Sequence, residues 1–134
     1  MSGNKTGSCL CGAVKFAVTG PLRAVIACHC HQCRKQTGNY MSATGVKDQY
    51  LELTETRGLK WYRSSDKARR GFCSECGSGL WSRDRETGDI RGVRMGTFDS
   101  DPGVRPSRRH YVDFAAPWEP IPDDGLPRYA ERRP

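Results

Sequence analysis

The chain has 134 residues, of which 36% are hydrophobic, and it carries a formal net charge of +7. This length suits one domain with one core, and no apolar run approaches the roughly 20 residues that a transmembrane helix needs. The mean hydropathy of −0.72 indicates a thin core, and a thin core favours an additional stabiliser such as a disulfide or a metal ion.

The predicted elements are short strands separated by turns. Alternation of apolar and polar residues in Ala13–Val18 predicts a half-buried strand, and the apolar run within Leu22–Cys28 predicts a buried one. One helical turn is predicted over His31–Thr37, and Gly38 is a suitable stop for it. The remaining predicted strands are Tyr40–Val46, Tyr50–Thr56, Leu59–Arg63, Ala68–Phe72, Leu80–Ser82, Ile90–Phe98 and His110–Phe114.

An irregular tail follows the last predicted strand, because prolines recur in it. Its apolar residues are expected to pack onto the sheet, and they are Trp118, Ile121, Leu126 and Tyr129. The sequence contains no long helical period, no internal repeat and no linker. The pattern therefore predicts a single, mainly β domain over residues 1–134, with at most short helical turns.

The chemistry of the sequence is concentrated in its cysteines. Seven of them occur in three groups, a first pair at Cys9 and Cys11, a middle trio at Cys28, Cys30 and Cys33, and a last pair at Cys73 and Cys76. An odd number leaves one thiol without a disulfide partner. No apolar segment follows Met1, so no secretory signal is visible, and we expect a cytoplasmic location. In a reducing compartment, clustered cysteines are typical of metal binding or catalysis.

Each group has a spacing that suits a metal ion. The last pair is a CxxC turn followed by Gly77, which can take a positive φ and direct backbone N–H groups at the sulfurs. In an extended segment the two cysteines of the first pair would face the same way. The middle trio lies where a strand is predicted to enter a helical turn, so its three sulfurs could surround one ion.

Two divisions of the cysteines between zinc ions are compatible with this spacing. In one, the first and last pairs form a closed four-ligand site, and the middle trio holds a second ion with an open position. In the other, Cys30 and Cys33 join the last pair in a zinc ribbon. The long stretch between Cys33 and Cys73 favours the first division mildly. A bridged cluster of two zinc ions is a third arrangement.

Histidines and arginines near the cysteines are further candidates. His29 and His31 flank Cys30, but residues adjacent in an extended chain point to opposite faces, so we do not expect them to bind the metal. His110 is expected on the surface. A carboxylate of a substrate could be bound by Arg34 or by the pair Arg108–Arg109.

The positive charge suggests an anionic partner, but zinc loading weakens that argument. Two zinc ions bound by seven thiolates would lower the net charge from +7 to about +4. The densest basic runs are Lys67–Arg70 and Arg105–His110, and such runs are commonly solvated turns. We therefore do not expect nucleic acid as a partner. A non-enzymatic, zinc-stapled binding module for nucleic acid or protein remains the alternative, and a redox sensor is a third possibility.

The ordered series of cysteine motifs resembles that of the glutathione-dependent formaldehyde-activating enzyme family, which also includes centromere protein V. The resemblance spans residues 7 to about 129. The matching stretches are Gly7–Gly12, Cys28–Arg34 with Gly38, Phe72–Gly77 with Leu80, His110–Val112, Ala116–Trp118 and Leu126–Pro127.

The resemblance implies a fold, a metal content and a reaction. The fold would be compact and mainly β, with zinc-stapled, twisted, beta-tent-like sheets and a core at about residues 7–129. Two zinc ions per chain are implied, a structural one on Cys9, Cys11, Cys73 and Cys76 and a catalytic one on Cys28, Cys30 and Cys33. The implied activity is that of a carbon–sulfur lyase that forms or cleaves adducts of a thiol, such as glutathione, with a small aldehyde, such as formaldehyde.

An open position on the second zinc would suit this reaction. A substrate thiol entering it would lose its proton and become a nucleophile. It would attack a small aldehyde to give a hemithioacetal. The expected partners are therefore a small-molecule thiol and an aldehyde, with no membrane.

Overall fold

Ten short strands and one helix make up the regular structure of the computed structural model, which describes residues 5–131 except the side chain of Arg91. The strands are β1 Lys5–Ser8, β2 Lys15–Val18, β3 Val25–Cys28, β4 Met41–Val46, β5 Leu51–Glu55, β6 Leu59–Arg63, β7 Ala68–Cys73, β8 Gly79–Asp84, β9 Ile90–Arg94 and β10 Pro106–His110. The helix, α1, spans His31–Thr37. Short 3-10 turns occur at Asp48–Tyr50, Met95–Thr97 and Val112–Phe114. The protein is mainly β, as the sequence predicted.

The strands form two sheets. The smaller has three strands in the order β1-β2-β5, and the larger has seven in the order β10-β3-β4-β9-β8-β7-β6. Neighbouring strands are antiparallel except β10 and β3, which run parallel. Because β10 is far from β3 in sequence, this parallel pair connects the C-terminal part of the chain to the strand that carries Cys28.

The main core contains side chains from both sheets. Phe16 on β2 is 1% exposed and meets Trp81 of β8 edge to face, with ring centroids 5.3 Å apart. A second edge contact joins Phe16 to Phe98, at 5.7 Å. Full burial of a phenylalanine contributes roughly 1.5–3 kcal/mol. Gly7 on β1 is needed here, because a Cβ at this position would lie 2.4 Å from the Phe16 ring.

Helix α1 begins and ends where the sequence predicts. Its N-cap is Cys30, whose Sγ accepts a hydrogen bond from the Cys33 N–H at 3.3 Å. Gly38 ends it in the left-handed conformation, with φ of 86°, and donates its N–H to the Arg34 carbonyl at 2.8 Å. Within residues 5–131 no helix is long and apolar enough to cross a membrane.

Three elements differ most from the prediction. The last strand is Pro106–His110 instead of His110–Phe114, because Tyr111 adopts a left-handed φ of 57° and the chain then forms a 3-10 turn. The strand predicted over Ile90–Phe98 ends at Arg94, where another 3-10 turn begins. Strand β1 was not predicted from the sequence.

The tail packs along β10 through backbone hydrogen bonds. The Arg109 N–H donates to the Pro127 carbonyl, and the Tyr129 N–H donates to the Arg109 carbonyl, both at 2.9 Å. Tyr129 is half-buried with its ring edge on His110, and Ile121 and Leu126 are also half-buried. The prediction for Trp118 is wrong, since this side chain is 67% exposed.

Candidate functional site

The first and last cysteine pairs come together in one cluster, although they are far apart in sequence. Cys9 and Cys11 lie in the turn between β1 and β2, Cys73 ends β7, and Cys76 lies in the turn before β8. Their four sulfur atoms lie within 4.8 Å of one another. The Sγ–Sγ distances from Cys11 to Cys9 and to Cys73 are both 3.8 Å. A tetrahedral zinc with Zn–S bonds of about 2.3 Å requires sulfurs about 3.8 Å apart, so this four-cysteine cluster could hold zinc.

Local backbone structure shapes the four-cysteine cluster. The first pair lies in a turn and not in the extended segment predicted from the sequence, and Gly12 has a φ of 84° there. The Val14 N–H donates to Cys9 Sγ at 3.3 Å. In the last pair Gly77 takes the predicted positive φ, at 81°, and donates its N–H to the Cys73 carbonyl at 2.8 Å. The first turn thus brings an N–H group into contact with a sulfur, which is typical of metal knuckles.

The middle trio forms a second, separate cluster at the junction of β3 and α1. Cys28 ends β3, Cys30 caps the helix, and Cys33 lies in its first turn. The three sulfurs lie within 4.8 Å of one another. They pack against Met41 and Ala43 of β4, which form a small apolar cluster apart from the main core. This three-cysteine cluster could hold a metal ion on three protein ligands, which is the ligand number of catalytic zinc sites.

Proton sharing among the three cysteines favours a bound cation. Hydrogen bonds from the thiols of Cys28 and Cys33 lower the pKa of Cys30 to about 2. The contact with Cys30 in turn raises the pKa of Cys28. Three sulfurs this close therefore stabilise one thiolate at the expense of a second, and a divalent cation would stabilise all three. In the four-cysteine cluster, the hydrogen bond with Ser78 lowers the pKa of Cys76 to about 5.

His29 is held by a buried arginine. Its Nε2 lies 3.1 Å from Nη1 of Arg109, whose Nη2 donates to an oxygen of Asp124 at 2.6 Å. Burial, followed by the charge of Arg109, lowers the pKa of His29, so the neutral ring accepts the hydrogen bond. The ring also packs against Tyr40, with centroids 5.0 Å apart. His29 therefore ties the turn between Cys28 and Cys30 to strand β10 and the tail.

The other two histidines lie in different environments. His31 is exposed on α1. The prediction that His110 is a surface residue is wrong, because this side chain is 9% exposed and its ring lies against Tyr129. The cause is the parallel pairing of β10 with β3, which moves an apparently basic, solvated run into the sheet.

The arginines predicted to bind a substrate carboxylate are engaged within the protein. Arg109 is 5% exposed and ion-paired with Asp124, and Arg108 donates from Nε to His110 at 3.0 Å. The Arg34 guanidinium lies over the Trp118 ring, 5.6 Å from its centroid.

Two other arginines, Arg70 on β7 and Arg94 on β9, line a cavity beside α1. The cavity has a volume of about 250 Å³. A larger one of about 670 Å³ shares Gln36, Gly79 and Arg94 with it. Sequence analysis did not single out Arg70 or Arg94, because each is one arginine among many in a strand and only the strand order brings them together.

Comparisons with known proteins found relatives that match most of the chain. The model of the family described as glutathione-dependent formaldehyde-activating enzyme matches residues 4–113. A Halomonas elongata protein named "Putative glutathione-dependent formaldehyde-activating enzyme" is 30% identical over 119 residues, covering 79% of this chain and 73% of the relative. A crystal structure of a Rhodobacter sphaeroides protein shares the fold, with a TM-score of 0.58 and 23% identity, covering 76% of this chain and 99% of that one. The chain belongs to the glutathione-dependent formaldehyde-activating enzyme family.

Proposed function

We propose that this protein is a zinc-dependent carbon–sulfur lyase that forms or cleaves the adduct of a thiol, such as glutathione, with formaldehyde. The observation that carries the proposal is the three-cysteine cluster, in which Cys28, Cys30 and Cys33 converge without a fourth cysteine. A cavity that borders the same helix provides space for a substrate. Family membership supports the same substrates.

In this proposal the two clusters have different roles. The four-cysteine cluster would hold a structural zinc, because four thiolates close its coordination. The three-cysteine cluster would hold the catalytic zinc. Zinc bound there would supply a positive charge that favours the thiolate form of a substrate thiol. The cysteines themselves fix the position of this charge at the end of β3.

The reaction makes one carbon–sulfur bond. The thiol loses its proton, its sulfur bonds to the carbonyl carbon of formaldehyde, and the π electrons of the C=O bond move to oxygen, which takes up a proton. No oxidant or reductant is needed. In the cavity, the Tyr62 hydroxyl accepts a hydrogen bond from the Gln36 amide, so its own O–H is free to donate to the oxygen that becomes negative.

The proposal is tested by measuring adduct exchange. Glutathione and ¹³C-formaldehyde form S-hydroxymethylglutathione slowly without a catalyst, and exchange spectroscopy reports its rate of formation and cleavage. We expect the zinc-loaded protein to accelerate both directions and Cys28→Ser to abolish the acceleration. A protein loaded with zinc in both clusters that leaves the exchange rate at the uncatalysed value, for glutathione and for a panel of other thiols, would contradict the proposal.

The alternative of a binding module for nucleic acid has less support, because several arginines of its two basic runs are engaged by other side chains of the protein. Arg105 pairs with Asp101 at 2.6 Å, and Arg109 with Asp124. In the run Lys67–Arg70, the Arg69 guanidinium lies over the ring of Trp61. Phosphate binding depends on free cations at the surface, and a retardation assay over a series of salt concentrations would detect it.

A further inference from the structure

The cavity between α1 and the strands β7 and β9 is lined by cations without anions. Arg70 and Arg94 are its charged residues, and no aspartate or glutamate lines it. Neither arginine forms an ion pair with a carboxylate within residues 5–131. By contrast, Arg63 on the neighbouring strand β6 is exposed and forms an ion pair with Asp66. Among the described residues, this cavity therefore has two arginines in its lining and no carboxylate to balance their charge.

Arg94 has the less favourable environment of the two. It is half-buried, and its guanidinium makes no hydrogen bond within the described residues. Loss of water, and then the charge of Arg70, lowers the pKa of Arg94. A buried cation without a partner costs free energy. An anionic ligand in the cavity would offset that cost.

Gly79 on β8 provides the space for this guanidinium. A Cβ at this position would lie 2.1 Å from Nη1 of Arg94 and 2.2 Å from its Cζ. Gly79 is not one of the glycines with a positive φ, so its backbone conformation does not require glycine. The absence of a side chain at Gly79 therefore serves the close approach of Arg94.

Arg70 lines the cavity and contacts α1, the helix that carries Cys33. Its Nη2 donates to the Gln32 Oε1 on α1 at 3.1 Å, and its Nε is buried without a hydrogen-bond partner in the described residues. Gln32, which Arg70 contacts, is the neighbour of Cys33 in α1, and Gln36 of the same helix lines the cavity together with both arginines. Both arginines therefore lie beside the helix that carries Cys33.

We propose that Arg70 and Arg94 form a carboxylate-binding subsite that selects thiols carrying a carboxylate, of which glutathione is one. This inference rests on the proposed function, because the thiol sulfur is taken to bind at Cys28, Cys30 and Cys33. Guanidinium groups bind carboxylates through paired, charge-assisted hydrogen bonds. The small cavity suits one carboxylate end of such a molecule, and the larger cavity, which shares Gln36, Gly79 and Arg94 with it, has room for the rest.

The subsite is tested by titrating the zinc-loaded protein with glutathione and with glutathione diethyl ester, in which both carboxylates are blocked. Isothermal titration calorimetry is carried out on the wild type, Arg94→Gln and Arg70→Gln. The matched control is Arg63→Gln, which removes an exposed arginine from the neighbouring strand β6. We expect the wild type to prefer glutathione, and each cavity variant to lose about tenfold in glutathione affinity with little change for the ester. The control should behave as the wild type.

Several results would overturn the subsite. A preference for glutathione that survives in both cavity variants would do so, as would a wild type that binds the two ligands equally. Equal loss of both ligands in the variants would show that the arginines only neutralise the thiolates. Zinc content and melting curves identify a variant that fails to fold, and the cavity variant that folds as the wild type does then decides the question.

Adduct exchange measured on the same samples keeps the two proposals apart. A wild type without acceleration, but with an arginine-dependent preference for glutathione, would overturn the reaction and support the subsite. Acceleration with equal rates for carboxylated and esterified thiols would support the reaction and overturn the subsite.

Discussion

The two cysteine clusters differ in how the chain assembles them. The four-cysteine cluster joins segments that are distant in sequence, since Cys11 and Cys73 are 62 positions apart. It lies against the main core, in which Cys9 and Cys73 are themselves buried members. The three-cysteine cluster is local, because its residues fall between Cys28 and Cys33 and depend on a single strand-to-helix junction.

This difference supports the proposed roles, in which one cluster stabilises the fold and the other carries the chemistry. A cross-link that closes a long loop removes more conformational freedom from the unfolded chain than a local one does. Metal bound at the four-cysteine cluster should therefore contribute folding free energy. The three-cysteine cluster packs against a small apolar cluster apart from the main core, and its helix α1 also contributes Gln36 to the lining of a cavity.

The largest effect is expected from Cys73→Ser, in the four-cysteine cluster. We expect it to remove one zinc ion and most of the roughly 5–15 kcal/mol of stability that a domain of this kind has. Thermal melts followed by circular dichroism, with zinc counting by mass spectrometry, measure both. Cys11→Ser is the matched control for burial, because Cys11 is exposed. A cooperative, near-wild-type melt for Cys11→Ser would show that the loss in Cys73→Ser comes from packing.

Cys30→Ser should separate activity from folding. Serine is a good N-cap, so the hydrogen bond that now runs from the Cys33 N–H to residue 30 can be retained. We expect the variant to lose one zinc ion and the acceleration of adduct exchange. Its unfolding should stay cooperative, with a melting temperature lowered by no more than about 8 °C. Zinc counting, thermal melts and exchange spectroscopy measure these three changes. An unfolded Cys30→Ser protein would contradict the division of roles.

A smaller effect is expected from Arg109→Gln, which tests whether the tail supports the three-cysteine cluster. The change leaves His29 without its hydrogen-bond donor and Asp124 without its cation. We expect a loss of roughly 1–3 kcal/mol in the free energy of unfolding, measured by urea denaturation. The zinc at the three-cysteine cluster should also transfer faster to a chromophoric chelator. Release at the wild-type rate would contradict the link between tail and cluster.

The smallest effect is expected from Arg105→Gln, the matched control for Arg109→Gln near the same strand. Its ion pair with Asp101 is exposed, with side chains 69% and 59% accessible, and such pairs contribute little. We expect no measurable change in the urea midpoint or in zinc release. A loss equal to that of Arg109→Gln would show that charge near β10 matters in general, without a specific role for the buried network.

The sequence predicted most of the framework because its signals are local. Periodicity located α1 and most of the strands, and Gly38 and Gly77 take the positive φ that was expected of them. The features that were not predicted depend on the pairing of strands that are distant in sequence. Strand β10 was missed because Arg109 and His110 look like surface residues until β3 and the tail cover them. No sequence signal separates Arg70 and Arg94 from the other arginines, since their meeting depends on the order of the strands.

The central claim is the division of the seven cysteines into four and three around separate metal ions. The most direct test is an anomalous difference map measured at the zinc absorption edge on crystals of the zinc-loaded protein. We predict two peaks, one among the sulfurs of Cys9, Cys11, Cys73 and Cys76 and one at Cys28, Cys30 and Cys33. A single peak shared by Cys30, Cys33, Cys73 and Cys76, or two ions bridged by common sulfurs, would contradict the account.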